Sequence, residues 1–119
     1  MTALEALEKT KKMWKWLALH PEAMKIEYFM KNGIISPEHH NCFLCDYAFE
    51  NYTRDIFQCT AKCPLFKLWS KKRGKLYRCE KSDSPYVLWK ASLLNNKSRT
   101  KYANKIVKLC DVRIKELTK

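Results

Sequence analysis

The chain has 119 residues, with 24 Lys and Arg against 12 Asp and Glu, and a formal net charge of +12. Its length fits one domain, and 46% hydrophobic residues with 13% aromatics exclude a disordered basic tail. Only two glycines exclude glycine-rich phosphate loops, and no apolar run approaches the roughly 20 residues of a membrane span. We expect a single domain over 1–119, organised as 1–33, 34–82 and 83–119.

The N-terminal part is predicted to be a helical hairpin. Apolar residues recur at helical spacing over residues 2–19, and Thr2 with Glu5 has the spacing of a capping box. A proline suits the first turn of a second helix over 21–32, and Gly33 is expected to end it.

The central part, residues 34–82, is dominated by turn residues and cysteines, and its periodic stretches are short. We therefore predict an irregular Cys-rich centre that lacks amphipathic segments to bury. A metal cross-link would offset the chain entropy that such a small core cannot.

Two C-terminal helices are predicted to follow. Asp83 or Ser84 can cap the first, with a proline in its first turn, and Ser98 can cap a final helix that ends at about Leu117. Apolar residues, with Cys110 among them, cover one side of the final helix, and we expect Arg113 to extend its head to solvent. The fold class predicted is mainly α, with a helical hairpin, a zinc-stabilised centre and two C-terminal helices.

Cysteine spacing in the centre indicates a structural zinc site. A C-x2-C pair supplies two ligands from one turn, and a second close pair about 13 residues later supplies the rest of a tetrahedron. Five cysteines compete for the four ligand positions, so one of the five lies outside the shell. The five candidates are Cys42, Cys45, Cys59, Cys63 and Cys79.

Other readings of these cysteines stay open. His39 or His40 precedes the first pair and can replace a thiolate. The thiols can also be reduced core residues or form a disulfide, although the N-terminal sequence shows no secretory signal and we expect a reducing cytosol. A closed four-thiolate site is structural and not catalytic.

The order Cys42-x2-Cys45, Cys63-Pro64, Cys79, Ser84-Pro85-Tyr86 and Trp89, after a helix rich in Leu, Glu and Trp, resembles a set of small tailed-bacteriophage proteins. The resemblance covers about residues 3–90 and departs in the three residues between Cys59 and Cys63. It implies a phage source, the cytoplasm of a bacterial host, and an accessory or host-takeover role. It does not imply an enzyme.

Positive charge is concentrated in residues 62–81 and 97–119, where it predicts contact with nucleic acid, either DNA or RNA. In the first block cations alternate with aromatic rings that can stack on bases; the alternative is a solvated loop with its tryptophan packed inward. In the second block lysines cover one face of the final helix, which can also be a solvated surface. The candidate residues are Lys67, Trp69, Lys71, Lys72, Arg73, Lys75, Tyr77, Arg78, Lys97, Lys101, Lys105 and Lys108.

A protein-binding role is the second hypothesis, in which the basic domain covers an acidic surface of a host protein, as an inhibitor or anti-defence factor. Trp16 lies on the polar side of the first helix and is the candidate contact, unless its ring lies across the second helix. A metal-dependent nuclease with His39 and His40 is a third and weaker hypothesis, because no second histidine follows downstream. Nothing in the sequence indicates a small-molecule substrate, a membrane partner or an oligomeric state.

Overall fold

The computed structural model describes residues 1–37, 41–51, 62–65, 68–69, 79 and 83–119. This described part is mainly helical, which confirms the predicted fold class at that level, and no helix in it combines the length and apolar character needed to cross a membrane. Its helices are α1 (Ala3–Leu19), α2 (Lys25–Asn32), α3 (Phe43–Asn51), α4 (Pro85–Ala91) and α5 (Asn96–Leu117).

The predicted capping box closes the N-terminus of α1. The Thr2 hydroxyl accepts the Glu5 N–H at 3.1 Å, and the Glu5 carboxylate accepts the Thr2 N–H at 3.3 Å. Hydrogen bonds that the Thr2 backbone N–H and the Thr2 side chain make to the Glu5 carboxylate lower the pKa of Glu5. The start of α1 is thus fixed by residues within one turn, as expected from sequence alone.

Helix α2 begins later than its sequence suggests. The Ala23 N–H donates to the His20 carbonyl at 2.9 Å, so Pro21 occupies a turn and not the first turn of a helix. Gly33 ends α2 as predicted, with the left-handed φ of 63° that glycine adopts without steric cost. Tyr28 and Phe29 point from α2 into the core.

Helix α3 lies within the segment predicted to be irregular, so that prediction is wrong for residues 43–51. The segment's hydrophobic periodicity is short, and the helix gains its stability from burial. Phe43, Leu44 and Ala48 are buried, and the Phe43 ring meets that of Phe29 edge-on at 5.8 Å. Tertiary packing selected a helix that local pattern did not indicate.

The C-terminal helices follow the prediction closely. Ser84 caps α4 by accepting the Val87 N–H at 3.2 Å, with Pro85 as the first helical residue. The cap of α5 is Asn95, whose side-chain oxygen accepts the Ser98 N–H at 3.0 Å, and so it lies three residues before the predicted cap. The helix ends at Leu117, as expected.

Helices α1 and α5 pack side by side in antiparallel directions. The Thr100 hydroxyl, near the start of α5, donates to the Ala18 carbonyl at the end of α1 at 3.0 Å. Three turns further along α5, Asp111 forms a 2.5 Å ion pair with Lys11. These two contacts fix the register of the pair, whose interface buries Leu7, Leu17, Ala103, Ile106 and Cys110 completely.

Aromatic rings hold α4 against this pair. The Trp14 ring of α1 meets Trp89 edge-on at 4.9 Å and Tyr86 edge-on at 6.0 Å. Trp89 is only 2% exposed. It is therefore a core residue, and it joins α4 to α1.

Two leucines of α1 give a test of this core. Leu17 is fully buried, whereas Leu19 is 79% exposed. Leu17→Ala is expected to lower the free energy of unfolding by about 2–5 kcal/mol, because it leaves a cavity between α1 and α5. Leu19→Ala is the matched control and should change it by less than about 0.5 kcal/mol. Urea unfolding followed by circular dichroism measures both, and equal effects would contradict the packing described.

Candidate metal centre and nucleic-acid interface

The first cysteine pair is positioned by the start of α3. Cys42 directly precedes the helix and Cys45 lies in its first turn, where the Asp46 N–H donates to the Cys42 carbonyl at 3.1 Å. Asn41 has a left-handed φ of 51°, which turns the chain sharply into the pair. This geometry puts both sulfur atoms at one end of α3.

Electrostatic effects link the first pair to two more cysteines. A hydrogen bond from the Cys45 thiol lowers the pKa of Cys42 to about 6, against the effect of burial. The pKa of Cys45 is raised by that same hydrogen bond, by burial, and by negative charge on Cys42, Cys63 and Cys79. Burial and charge on Cys42 and Cys79 likewise raise the pKa of Cys63. The pKa of Cys45 and that of Cys63 thus respond to the charge of other cysteines in this set.

The surroundings of these thiols suit a negatively charged sulfur cluster. The buried indole N–H of Trp69 has no hydrogen-bond acceptor among the described residues, yet it lies near enough to the Cys63 sulfur to lower the pKa of that thiol. Lys25 acts in the same direction on Cys42. The Ser84 hydroxyl donates to the Cys79 carbonyl and fixes the chain at the fourth cysteine.

Zinc fits this set of donors by its chemistry. It takes four thiolates in a closed tetrahedron, and a divalent cation would remove the mutual repulsion that raises the pKa of Cys45 and Cys63. The described cysteines are free thiols, and within the described segments no three Cys, His, Asp or Glu side chains form a ready-made metal-binding group. The four described thiols therefore do not form a coordination shell with the geometry of a bound metal ion.

Of the remaining Cys residues and the two His residues before the first pair, three lie outside the described residues and one lies in the helix core. Cys59, His39 and His40 lie outside the described residues, so their predicted roles stay predictions. Cys110 is fully buried between α1 and α5, and burial raises its pKa to about 12. It is a core residue, as expected.

Most of the first basic block also lies outside the described residues: Lys67, Lys71, Lys72, Arg73, Lys75, Tyr77 and Arg78. Trp69 is described, and it is 5% exposed within the hydrophobic core. Its ring faces are covered by protein, so the predicted stacking on bases is corrected to the inward-packed alternative. The reason is that the indole covers the Cys-rich centre beside Cys63.

The second basic block forms an exposed face of α5. Lys97, Lys101, Lys105 and Lys108 are all exposed, and no acidic residue occurs between Asn96 and Cys110. At 1.5 Å per residue, the four lysines span about 16 Å of helix. The Tyr102 ring lies 5.4 Å from the ammonium groups of both Lys101 and Lys105, which holds an aromatic side chain among the cations.

Helix α1 also contributes lysines to the surface, which the sequence analysis did not single out as candidates. Lys11 pairs with Asp111 of α5 at 2.5 Å, and Lys12 and Lys15 are exposed. The pairing of Lys11 depends on the antiparallel register of α1 and α5, which the sequence pattern does not specify.

Trp16 is half-buried, not freely exposed. Its ring stacks on the His20 ring at 4.0 Å and tilts against the Tyr28 ring of α2 at 5.6 Å. The His20 Nδ1 and the Trp16 carbonyl form a 2.8 Å hydrogen bond that closes this corner. Trp16 therefore lies across the second helix, which is the alternative to the predicted exposed contact.

Comparison with protein families, with curated proteins and with solved structures finds no match to this chain.

Proposed function

We propose that this protein is a non-enzymatic, zinc-stabilised, nucleic-acid-binding protein. The observation that carries the proposal is the acid-free lysine face of α5, with Lys97, Lys101, Lys105 and Lys108 exposed in one row. A row of lysines with no acidic residue between Asn96 and Cys110 is suited to phosphate groups, since each contact releases a counterion from the nucleic acid. Structural zinc on Cys42, Cys45, Cys63 and Cys79 would hold the central segment in place beneath α4.

Backbone contact, and not base readout, follows from the chemistry of this face. Lysine ammonium groups recognise phosphate as point charges and carry no sequence code. With Trp69 inside the core, Tyr102 is the aromatic ring best placed for additional contact, between Lys101 and Lys105. We therefore expect binding that is salt-dependent and weakly selective for sequence.

A matched pair of double variants tests the interface. Lys101→Gln with Lys105→Gln should reduce the slope of log affinity against log salt by up to about 2, since each lysine contributes about one phosphate contact. Lys9→Gln with Lys31→Gln makes the same change in net charge on α1 and α2, away from α5, and should leave the slope nearly unchanged. Fluorescence anisotropy with DNA and RNA, single- and double-stranded, between about 50 and 200 mM salt measures both.

Two results would contradict the nucleic-acid proposal. One is equal loss of affinity in both double variants, which would mean that only total charge matters. The other is no binding by the wild-type chain to any of the four nucleic acids at the lower salt concentration.

Metal content tests the zinc centre separately. We expect about one zinc per chain in protein purified without chelator, lost in Cys42→Ser and in Cys63→Ser because three thiolates hold the ion poorly. Cys110→Ala is the control and should retain zinc, since that thiol lies in the helix core. Cys59→Ser decides the fifth candidate: retained zinc places Cys59 outside the shell. A wild-type chain without zinc, or with zinc in all variants, would refute the centre.

A protein partner is the second candidate function, and exposed apolar residues on and after α2 favour it. Met30 is 75% exposed, Ile26 46% and Ile35 93%, away from the core side of the helix. In this reading the basic domain covers an acidic surface of a bacterial host protein, as a phage host-takeover factor would. The phage assignment itself rests on the resemblance of the Cys and Ser-Pro-Tyr segments and stays a proposal, as does the bacterial cytoplasm as its location.

A host protein captured from nuclease-treated lysate would support this second function if Met30→Glu abolished the capture. Leu117→Glu makes the same kind of change at a half-exposed apolar residue at the far end of α5, and this control variant should still capture the protein. If capture persists in Met30→Glu, the apolar residues of α2 are not the contact and this candidate loses its basis.

A further inference from the structure

Arg99 is wholly buried, although it carries a permanent positive charge. The residue is 0% exposed, and its guanidinium carbon lies 3.9 Å from the centre of the Trp89 ring. One of its nitrogens, Nη2, contacts the sulfur of Met24 at 3.8 Å. The other two, Nε and Nη1, are buried without a hydrogen-bond acceptor among the described residues.

A guanidinium stays protonated in proteins, so it cannot lower the free-energy cost of its burial by losing its charge. It therefore needs hydrogen-bond acceptors. Contact with the Trp89 ring offsets part of the cost, but the thioether of Met24 is only a weak acceptor. Burial lowers the pKa of Arg99, and the charges of Glu22 and Glu27 oppose that effect from a distance. Glu27 accepts the Met24 N–H at 3.2 Å, so its carboxylate already caps α2. Among the residues that the structure describes, the Nε and Nη1 atoms have no acceptor, and another partner can supply one.

Two lysines lie over the Tyr86 ring, which stacks on the Trp89 ring that Arg99 contacts. The ammonium groups of Lys25 and Lys90 lie 4.6 and 4.5 Å from the centre of the Tyr86 ring. That ring stacks on Trp89 at 6.4 Å with an interplanar angle of 16°. Three cationic side chains therefore lie over two parallel rings. The positive end of the α2 dipole is also here, because α2 begins directly after Met24.

We propose that Arg99 is the centre of a binding site for a phosphate-type oxyanion. The ion enters by displacing the Met24 side chain, which is 45% exposed, and accepts hydrogen bonds from the Nη2 that Met24 uncovers and from the adjacent unpartnered Nε. A multiply charged tetrahedral ion suits the site better than a single carboxylate, because Lys25 and Lys90, over the neighbouring Tyr86 ring, add to the positive charge of Arg99. The ligand is either free phosphate or the phosphate group of a nucleotide.

The site is independent of the proposed nucleic-acid interface. Arg99 lies on the buried face of α5, whereas Lys97 to Lys108 lie on the solvent face of the same helix. The two proposals therefore fail separately: a charge change on the lysine face leaves Arg99 covered by Trp89 and Met24.

Isothermal titration with inorganic phosphate, at neutral pH and constant ionic strength, tests the proposal on the whole chain. Arg99→Met should lose about tenfold or more in affinity, because it removes the charged hydrogen bonds. Arg99→Lys should also bind more weakly, because an ammonium group lacks the planar fork of a guanidinium. Lys119→Gln, at the exposed end of the chain, is the matched control and should bind phosphate like the wild type.

Two further titrations define the ligand and its entry. A nucleoside monophosphate that binds more tightly than phosphate assigns the site to a phosphate ester, and equal or weaker binding assigns it to the free ion. Met24→Ala removes the cover and should bind phosphate more tightly than the wild type. This variant also keeps the proposal testable if Arg99→Met does not fold.

Four results would overturn the assignment. The first is that the wild type does not bind phosphate below about 10 mM. The second and third are that Arg99→Met binds phosphate within twofold of the wild type, and that Met24→Ala binds it with unchanged affinity. The fourth is that acetate binds as tightly as phosphate. The last result would mean that the site takes any small anion and is not built for phosphate.

Discussion

The antiparallel contact between α1 and α5 is the constraint on which the rest of the structure depends. It joins the two ends of the described chain, and its interior is the most apolar part of the fold, with Leu7, Leu17 and Ile106 fully buried. Two polar contacts at its edges, Thr100 to Ala18 and Lys11 to Asp111, fix how far one helix is shifted along the other. Because that register is fixed, Trp89 of α4 can pack against Trp14 of α1.

Two buried sites in the described part of the fold carry polar or charged groups that lack a counter-ion or a hydrogen-bond acceptor there. Around Cys42 and Cys45 the sulfur atoms repel one another when ionised, and a cation would relieve that repulsion. Around Arg99 a guanidinium lacks acceptors, and an anion would supply them. In a small domain, where a single core contributes little stability, bound ions of either sign can contribute a large share of folding free energy.

Much of the local structure follows from the sequence. Thr2 and Glu5 form the capping box, Gly33 ends α2, and Ser84 with Pro85 starts α4, as predicted, because each signal acts within one helical turn. The predicted start of α2 is wrong, because proline suits both the first turn of a helix and a tight turn. Pro21 lies in a turn that precedes α2. The predicted extension of the Arg113 head to solvent is only partial: its Nη1 pairs with the exposed Glu116, while its Nε donates to the Pro64 carbonyl at 2.7 Å.

The sequence by itself determined the helical class, most helix ends, the lysine face of α5 and the cysteine spacing, since each depends on residues a few positions apart. Tertiary structure alone decided that α3 forms, that Trp69 turns inward, that Trp16 lies on α2 and that Lys11 pairs with Asp111. It also decided that Arg99 is buried under Met24, 75 positions away in the chain. These outcomes depend on which surfaces meet, and a pattern along one chain does not specify the register of two packed helices.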